Sequence, residues 1–388
     1  MTIETGALEQ AYAKVETTYA ASAATGGEAL SATDAIRHLE LSLTSKKNRE
    51  PSPEKRGTPD VQQSLPRRQT SAFNLSSIMW EPSGTLGTIA NVGKFLKAGF
   101  GANHVLSLTT TINDAGPTAT DFDLTSVTGL AVGDLIAVTM PDGTREITRI
   151  KAIASNNVTV DALSTAPADT AAVVSGITYK LANNITESLA IYKYYNAGGF
   201  KQATFGNVVD QIQITLDGTR EVLLAFQGPA GRYADSSAGG GTVQAAPGAH
   251  TTVGAPASGL VGTGLVDGAA FAIISAAVTI NNQLELRNKE LGTAWASGIA
   301  GRAAMRQVSV SVTAYLEDLN LLGKANSVTT AVLRLLVGQT NGSMVGLVLP
   351  KVEFEIPDVG NEIGPKEITL EGVAYATNGN DQIFAGEL

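Results

Sequence analysis

Three stretches of the chain alternate apolar and polar residues without a break. They are Asp210-Gln211-Ile212-Gln213-Ile214-Thr215-Leu216, Gln307-Val308-Ser309-Val310-Ser311-Val312-Thr313 and Lys351-Val352-Glu353-Phe354-Glu355-Ile356. A period of two suits a β-strand with one buried and one solvated face, and suits no helix. Val308, Val310 and Val312 are therefore expected in a core, with Gln307, Ser309, Ser311 and Thr313 facing water. Sheets wetted on one side are antiparallel, so the expected fold is mainly β. Its polar surface would be broad and made of small uncharged or acidic groups. The 388 residues suffice for two domains and a sizeable core.

The rest of the chain divides around these strands. Residues 1–33 are rich in small side chains and are expected to form an arm. Residues 34–80 hold two strand-like runs around a basic, Pro-containing connector. Over residues 84–101, Leu86, Ile89, Gly93, Leu96 and Phe100 recur at three and four, which predicts one amphipathic helix flanking a sheet. Ser83 or Thr85 would start it, and Gly99 or Gly101 would end it. Residues 106–182 predict a small inserted all-β domain. Its strands would cover 134–140, 147–153 and 157–160, with a turn at Pro141-Asp142-Gly143. Residues 34–105 and 183–388 would then form one discontinuous domain, and the insert is expected to be removable without loss of assembly. Residues 228–268 hold eleven glycines and almost no charge, a long loop or splayed hairpin.

Motifs for chemistry are missing. With no Cys, thiol catalysis, Cys-ligated zinc and disulfides are excluded. The three histidines, His38, His104 and His250, stand beside no patterned Ser or carboxylate. No phosphate loop, dinucleotide fingerprint, nucleophile elbow or zinc-protease motif occurs. Asp121-Phe122-Asp123 places two carboxylates on one strand face, a solvated edge rather than a cation site. Residues 358–362 and Asn378-Gly379-Asn380-Asp381 lack calcium-loop spacing and predict turns. No enzyme activity, cofactor or metal is expected. Met1-Thr2-Ile3-Glu4 has no signal-peptide character, and the apolar run 269–278 is too short to span a membrane.

Charge is distributed unevenly. The net charge is −9, which disfavours a nucleic-acid binder, since such proteins gain affinity by neutralising phosphates. Yet residues 46–68 carry seven bases (Lys46, Lys47, Arg49, Lys55, Arg56, Arg67, Arg68) against three acids, while residues 351–388 carry eight acids against two lysines. A basic surface meeting an acidic one on a neighbouring copy would orient like subunits.

Several segments, in order, carry a resemblance. They are Pro53-Glu54-Lys55-Arg56-Gly57-Thr58-Pro59, Trp80-Glu81-Pro82-Ser83-Gly84, Gly206-Asn207-Val208-Val209-Asp210 and Phe226-Gln227-Gly228-Pro229-Ala230-Gly231-Arg232. Then follow Asn281-Asn282-Gln283-Leu284-Glu285-Leu286-Arg287, Glu290-Leu291-Gly292, Leu349-Pro350-Lys351-Val352-Glu353-Phe354 and Gly379-Asn380-Asp381. This succession, outside residues 106–182, resembles the tail tube (major tail) proteins of long-tailed bacteriophages. The resemblance implies a tail-tube-type β-sandwich or barrel with one flanking helix, assembled as hexameric rings stacked around a lumen that passes DNA during ejection. It implies that the arm 1–33 and the loops 46–68 and 228–268 bridge rings, and that an insert decorates the outside. Its partners would be copies of itself, a tape measure protein and other tail proteins, in a virion tail built in the host bacterial cytoplasm. A flexible, non-contractile tail is favoured. Gln211, Gln213, Gln307, Ser309, Glu353 and Glu355 are candidates to line the lumen, because acidic or neutral walls keep a polyanion mobile. The seven bases of 46–68 are candidate inter-ring contacts. The competing expectation is a carbohydrate-binding adhesin or surface-layer protein with the insert as its binding module. Few aromatics, and two Trp residues that both lie outside the insert, disfavour it.

Overall fold

The structure, a computed structural model, describes residues 9–20, 26–52, 64–195, 199–237, 241–247, 254–316, 319–326, 329–357 and 366–388. All three alternating segments are strands of antiparallel ladders. The first sheet runs Glu40–Pro51, Ser64–Met79, Leu223–Ala230, Gln211–Asp217, Ile273–Asn281, Gln307–Tyr315, Glu367–Ala374. The second runs Gly101–Thr111, Ala172–Leu181, Phe384–Glu387, Val345–Phe354, Ala331–Val337, Gly262–Val266. Val345–Phe354 belongs to both. Its first half pairs with Phe384–Glu387 and its last residues pair with Glu367–Ala374. The chain thereby turns one sheet onto the other, and the fold is a mainly β sandwich. A separate five-stranded sheet contains Gln10–Val15 and Arg232–Asp235, so parts of the small-residue arm and of the glycine-rich stretch are strands.

Alternation translates into burial. Along Gln307–Tyr315, Val308, Val310, Val312 and Ala314 are buried, while Gln307 and Ser309 are exposed. Their buried faces join Ile212, Phe226, Val278, Leu333 and Leu347 in one core.

The flanking helix is shorter than its apolar stripe predicts. Helix α1 is Gly93–Phe100, and residues 84–92 are turns because Gly84 and Gly87 adopt φ of +78° and +75°, a left-handed conformation that ends helices. Ser83 therefore serves a local turn, its Oγ accepting the Thr85 N–H at 3.2 Å. Gly101, at φ +91°, is the C-cap. Gly99 is required for another reason, since a Cβ there would lie 2.4 Å from Ile212 Cδ1. Phe95 and Phe100 bury against Phe226 and Tyr179. A second helix, α2 (Leu319–Asn326), not among the elements expected from sequence, follows the Gln307–Tyr315 strand.

Strands Leu135–Thr139, Arg145–Ala154 and Asn157–Val160 match those expected within 106–182. They enclose a core of their own, with Phe122, Ile136, Ile150 and Val158. Their attachment is extensive. Gly101–Thr111 and Ala172–Leu181 run continuously from the sandwich into this unit, and residues 173–175 pair with both Gly101–Thr111 and Leu135–Thr139. Leu135, Ala137 and Ile147 pack on Leu336, Met344, Val348, Phe384 and Leu388. Arg334, fully buried, donates to the carbonyls of Ile147 and Ala162.

A fully buried core carboxyl, Glu387, couples stability to pH. Glu387 accepts hydrogen bonds from Trp80 Nε1 (3.0 Å) and the Tyr179 hydroxyl (3.3 Å). Burial disfavours its charged form and pushes its pKa up to about 7, against the opposing pull of those donors. The folded state holds this proton to higher pH than the unfolded chain does, so the contribution of Glu387 to stability falls as pH rises from the ordinary carboxyl range to about 7, then levels off. Glu387→Gln keeps the shape and cannot ionise. It is expected to match the wild type near pH 4 and to exceed it by about 3 kcal/mol above pH 7, since each tenfold change in proton affinity is worth ~1.4 kcal/mol. Denaturant melts across pH check this; a gap independent of pH would show that Glu387 stays ionised.

Candidate functional surface

The six candidate lumen residues come together. Read across the strands of the first sheet, Ser42, Asn74, Gln227, Gln211, Asn281 and Gln307 form one row. Ala225, Gln213, Thr279, Ser309, Val373 and Glu353 form the next. Glu355, exposed, lies just past its strand, its N–H on the Glu371 carbonyl at 2.7 Å. Gln227 donates to Gln211, and Thr313 and Thr369 share a hydroxyl hydrogen bond of 3.0 Å, so the polar face is partly self-bonded. Leu223–Ala230, Gln211–Asp217, Ile273–Asn281, Gln307–Tyr315 and Glu367–Ala374 adjoin one another and contain no Lys or Arg. Their charged residues are Asp217, Glu367 and Glu371. Backbone and side-chain hydrogen bonds from Thr219 hold the Asp217 carboxyl below its ordinary pKa.

The two ends of this sheet differ. At one end, Glu40–Pro51 and Ser64–Met79 run past the Gln227 row as a hairpin, pairing Lys46 with Thr70 and Arg49 with Pro66. Lys46, Lys47, Arg49 and Arg67 are exposed, and Arg67 pairs with Glu50. Arg68 is turned inward, donating to the carbonyls of Glu290 and Trp295 (the latter at 3.3 Å). Lys55 and Arg56 lie outside the described residues. Contacts with the hairpin fix the 282–306 segment at the same end and add Arg287, Lys289, Arg302 and Arg306. Burial and the neighbouring Arg302 lower Arg306 to about 10. Sequence reasoning missed these four, because scattered bases gave no local run and only the tertiary contact gathers them. The opposite end carries Asp217, Glu221 and Glu367 alongside Arg220 and Lys366.

Among the described residues, the histidines and carboxylates singled out by sequence are engaged in local contacts. His38 and His104 do have carboxylate partners in space, unlike in sequence: Glu9 at 2.7 Å and Asp134 at 2.9 Å. Both carboxylates also bind lysines, Lys193 and Lys180, and so act as ties between strands. His250 and residues 358–362 lie outside the described residues. Asp121 and Asp123 accept from Thr159 (2.7 Å) and Asn157 (3.0 Å), and Asp381 accepts the Thr377 N–H of its own turn at 2.8 Å. Among the described residues no cluster of three metal-ligating side chains exists, and no helix is long and apolar enough to cross a membrane.

A one-sided polar sheet of this kind suits a wall more than a cleft. The family model for phage tail tube proteins matches residues 6–377. The chain belongs to that family. No curated protein matches it. As a tail tube protein it is a structural component of a virion tail, assembling with itself and with other tail components, in a family not normally enzymatic. The match runs through residues 106–182 as well as the sandwich.

Proposed function

We propose that this tail tube protein forms hexameric rings stacked into a hollow tube, with the Gln211, Gln213, Gln307, Ser309, Glu353 and Glu355 face lining a lumen through which DNA slides during ejection. The observation that carries this is the run of five adjoining strands without a single Lys or Arg, bordered by Val345–Phe354, where Lys351 stands beside Glu353 as the one base. A cationic wall would bind phosphates by counterion release, whereas this face leaves the polyanion hydrated. Among the described residues Glu40–Pro51 has Ser64–Met79 as its one ladder partner, and its other side carries no paired strand, only the Lys193 ammonium on the Leu41 carbonyl. Edges of this kind join neighbouring copies into a closed barrel, removing an aggregation hazard. Ring interfaces of more than ~2,000 Å² in total suit an obligate assembly.

The arm 1–33 and the loops 46–68 and 228–268 bridge rings in this reading, with Lys46, Lys47, Arg49, Lys55, Arg56 and Arg67 as contacts, while Arg68 braces them from within the subunit. Residues 34–105 and 183–388, completed by the ladder strands Gly101–Thr111 and Ala172–Leu181, form the tube domain, and the rest of 106–182 decorates its outside. A tape measure protein and other tail proteins are its further partners. Assembly takes place in the host cytoplasm, the tail is non-contractile, and the subunit has no enzymatic activity.

The lumen assignment is tested by Gln213→Lys with Ser309→Lys. Both sites are on the polar face, so folding is expected to change by less than about 0.5 kcal/mol. Tubes of the variant are expected to retain linear DNA at low salt and release it steeply as salt rises, while wild-type tubes retain none. Equal DNA retention by both would place this face elsewhere than the lumen.

A further inference from the structure

Two features at opposite ends of the subunit match in shape and charge. At the basic end Leu291 is 99% exposed, an unusual placement for leucine on a loop that is otherwise well braced. Beside it, the Glu290 side chain is held by Arg287 and Ser297, and the Glu290 carbonyl accepts from Arg68. Gly292, at φ +85°, turns the chain directly after it. The loop therefore presents an aliphatic knob flanked by Lys289 and by Arg287, the latter paired with Glu290.

At the other end, a cavity of about 220 Å³ opens beside Asp217, with Leu216, Phe271, Ile273 and Leu335 in its lining along with Gly262 and Gly264, against which Leu336 and Ile273 pack closely. An apolar cavity of about 150 Å³ admits a benzene molecule, so this one has space for a leucine side chain. Leu260, 74% exposed, stands next to the lining residue Gly259. Asp217, Glu221 and Glu367 outnumber Arg220 and Lys366 at this end.

We propose that Leu291 of one copy seats in the Asp217-rimmed cavity of the copy stacked above or below it, so that the knob and cavity fix the axial register of successive rings. Arg287 and Lys289 meet Asp217 and its acidic neighbours across the joint, which makes the stack polar, basic end to acidic end. Like ends meeting would oppose charge to charge and leave both Leu291 side chains in water. This rests on the stacked-ring reading above and assigns its axial contact.

Leu291→Asp tests it. The residue touches little in the subunit, so the thermal melt of the unassembled protein is expected to be unchanged. The critical concentration for tube growth is expected to rise about tenfold or more, the scale set by returning one leucine to water. A second test uses the absence of Cys from the chain. Tubes grown from mixed Leu291→Cys and Leu260→Cys copies are expected to yield a 291–260 disulfide on oxidation, and tubes of either variant alone none. Wild-type growth by Leu291→Asp, or tubes that form from the mixture without that crosslink, would overturn the assignment while leaving the tube itself in place. Failure of the wild type to form tubes at all would instead overturn the stacked-ring reading.

Discussion

Replacing Val310 with Asp is expected to leave no cooperatively folded protein. Val310 is 3% exposed and pairs across its strand with Val278 on one side and Gly372 on the other. Neither neighbour offers a hydrogen-bonding side chain, so the new carboxylate would lose its water and gain no partner. Such burial costs several kcal/mol, against total stabilities of about 5–15 kcal/mol. The loss of valine packing adds to this. The informative control is one residue away. Ser309→Asp puts the same charge on the exposed face, where a change within about 0.5 kcal/mol is expected. Circular dichroism melts of the two variants check the pair. A cooperative melt for Val310→Asp would reverse the assignment of the two faces, and with it the polar wall.

The second large effect concerns the inserted unit. On composition alone, residues 106–182 are expected to be removable. The ladders argue otherwise for a cut at those positions. Such a cut takes away Ala172–Leu181, whose residues 177–180 pair with Phe384–Glu387 while the strand also pairs along Gly101–Thr111. It also uncovers Leu336, Met344, Val348, Phe384 and Leu388. The variant lacking 106–182 is expected to be insoluble. A shorter excision of residues 113–170, closed by a tight turn, keeps the two-stranded ladder. It still exposes the apolar patch and removes the Ile147 and Ala162 carbonyls that Arg334 binds. At about 25 cal/mol per Å² of apolar surface returned to water, the penalty is several kcal/mol. The shorter variant is therefore expected to fold with a lowered Tm. Soluble, tube-forming protein from the longer deletion would show that this packing is dispensable.

These outcomes mark what local pattern reveals. Period-two alternation located Gln307–Tyr315 and Gln211–Asp217 and assigned their faces, because in a half-buried strand each residue's environment is set by parity alone. The helical stripe over 84–101 was partly misleading. Its spacing was right, but Gly84 and Gly87 had conformational freedom that spacing does not register, and the chain used it. The basic end was half visible. Lys46, Lys47, Arg49 and Arg67 form a run in sequence, whereas Arg287, Lys289, Arg302 and Arg306 reach the same place through the contact of residues 68–69 with residues 290–295. Arg68, counted with the exposed bases, is one of the residues making that contact. Nor did Glu387 look unusual among the acids near the C-terminus. Its burial against Trp80 and Tyr179 depends on partners hundreds of positions away.

The central claim is assembly around a hole. Negative-stain electron microscopy of the purified protein over a concentration series tests it most directly. The account predicts six-fold rings with an open centre at low concentration, lengthening into hollow tubes as concentration rises. Solid, monodisperse particles with no central opening up to the highest soluble concentration would contradict it.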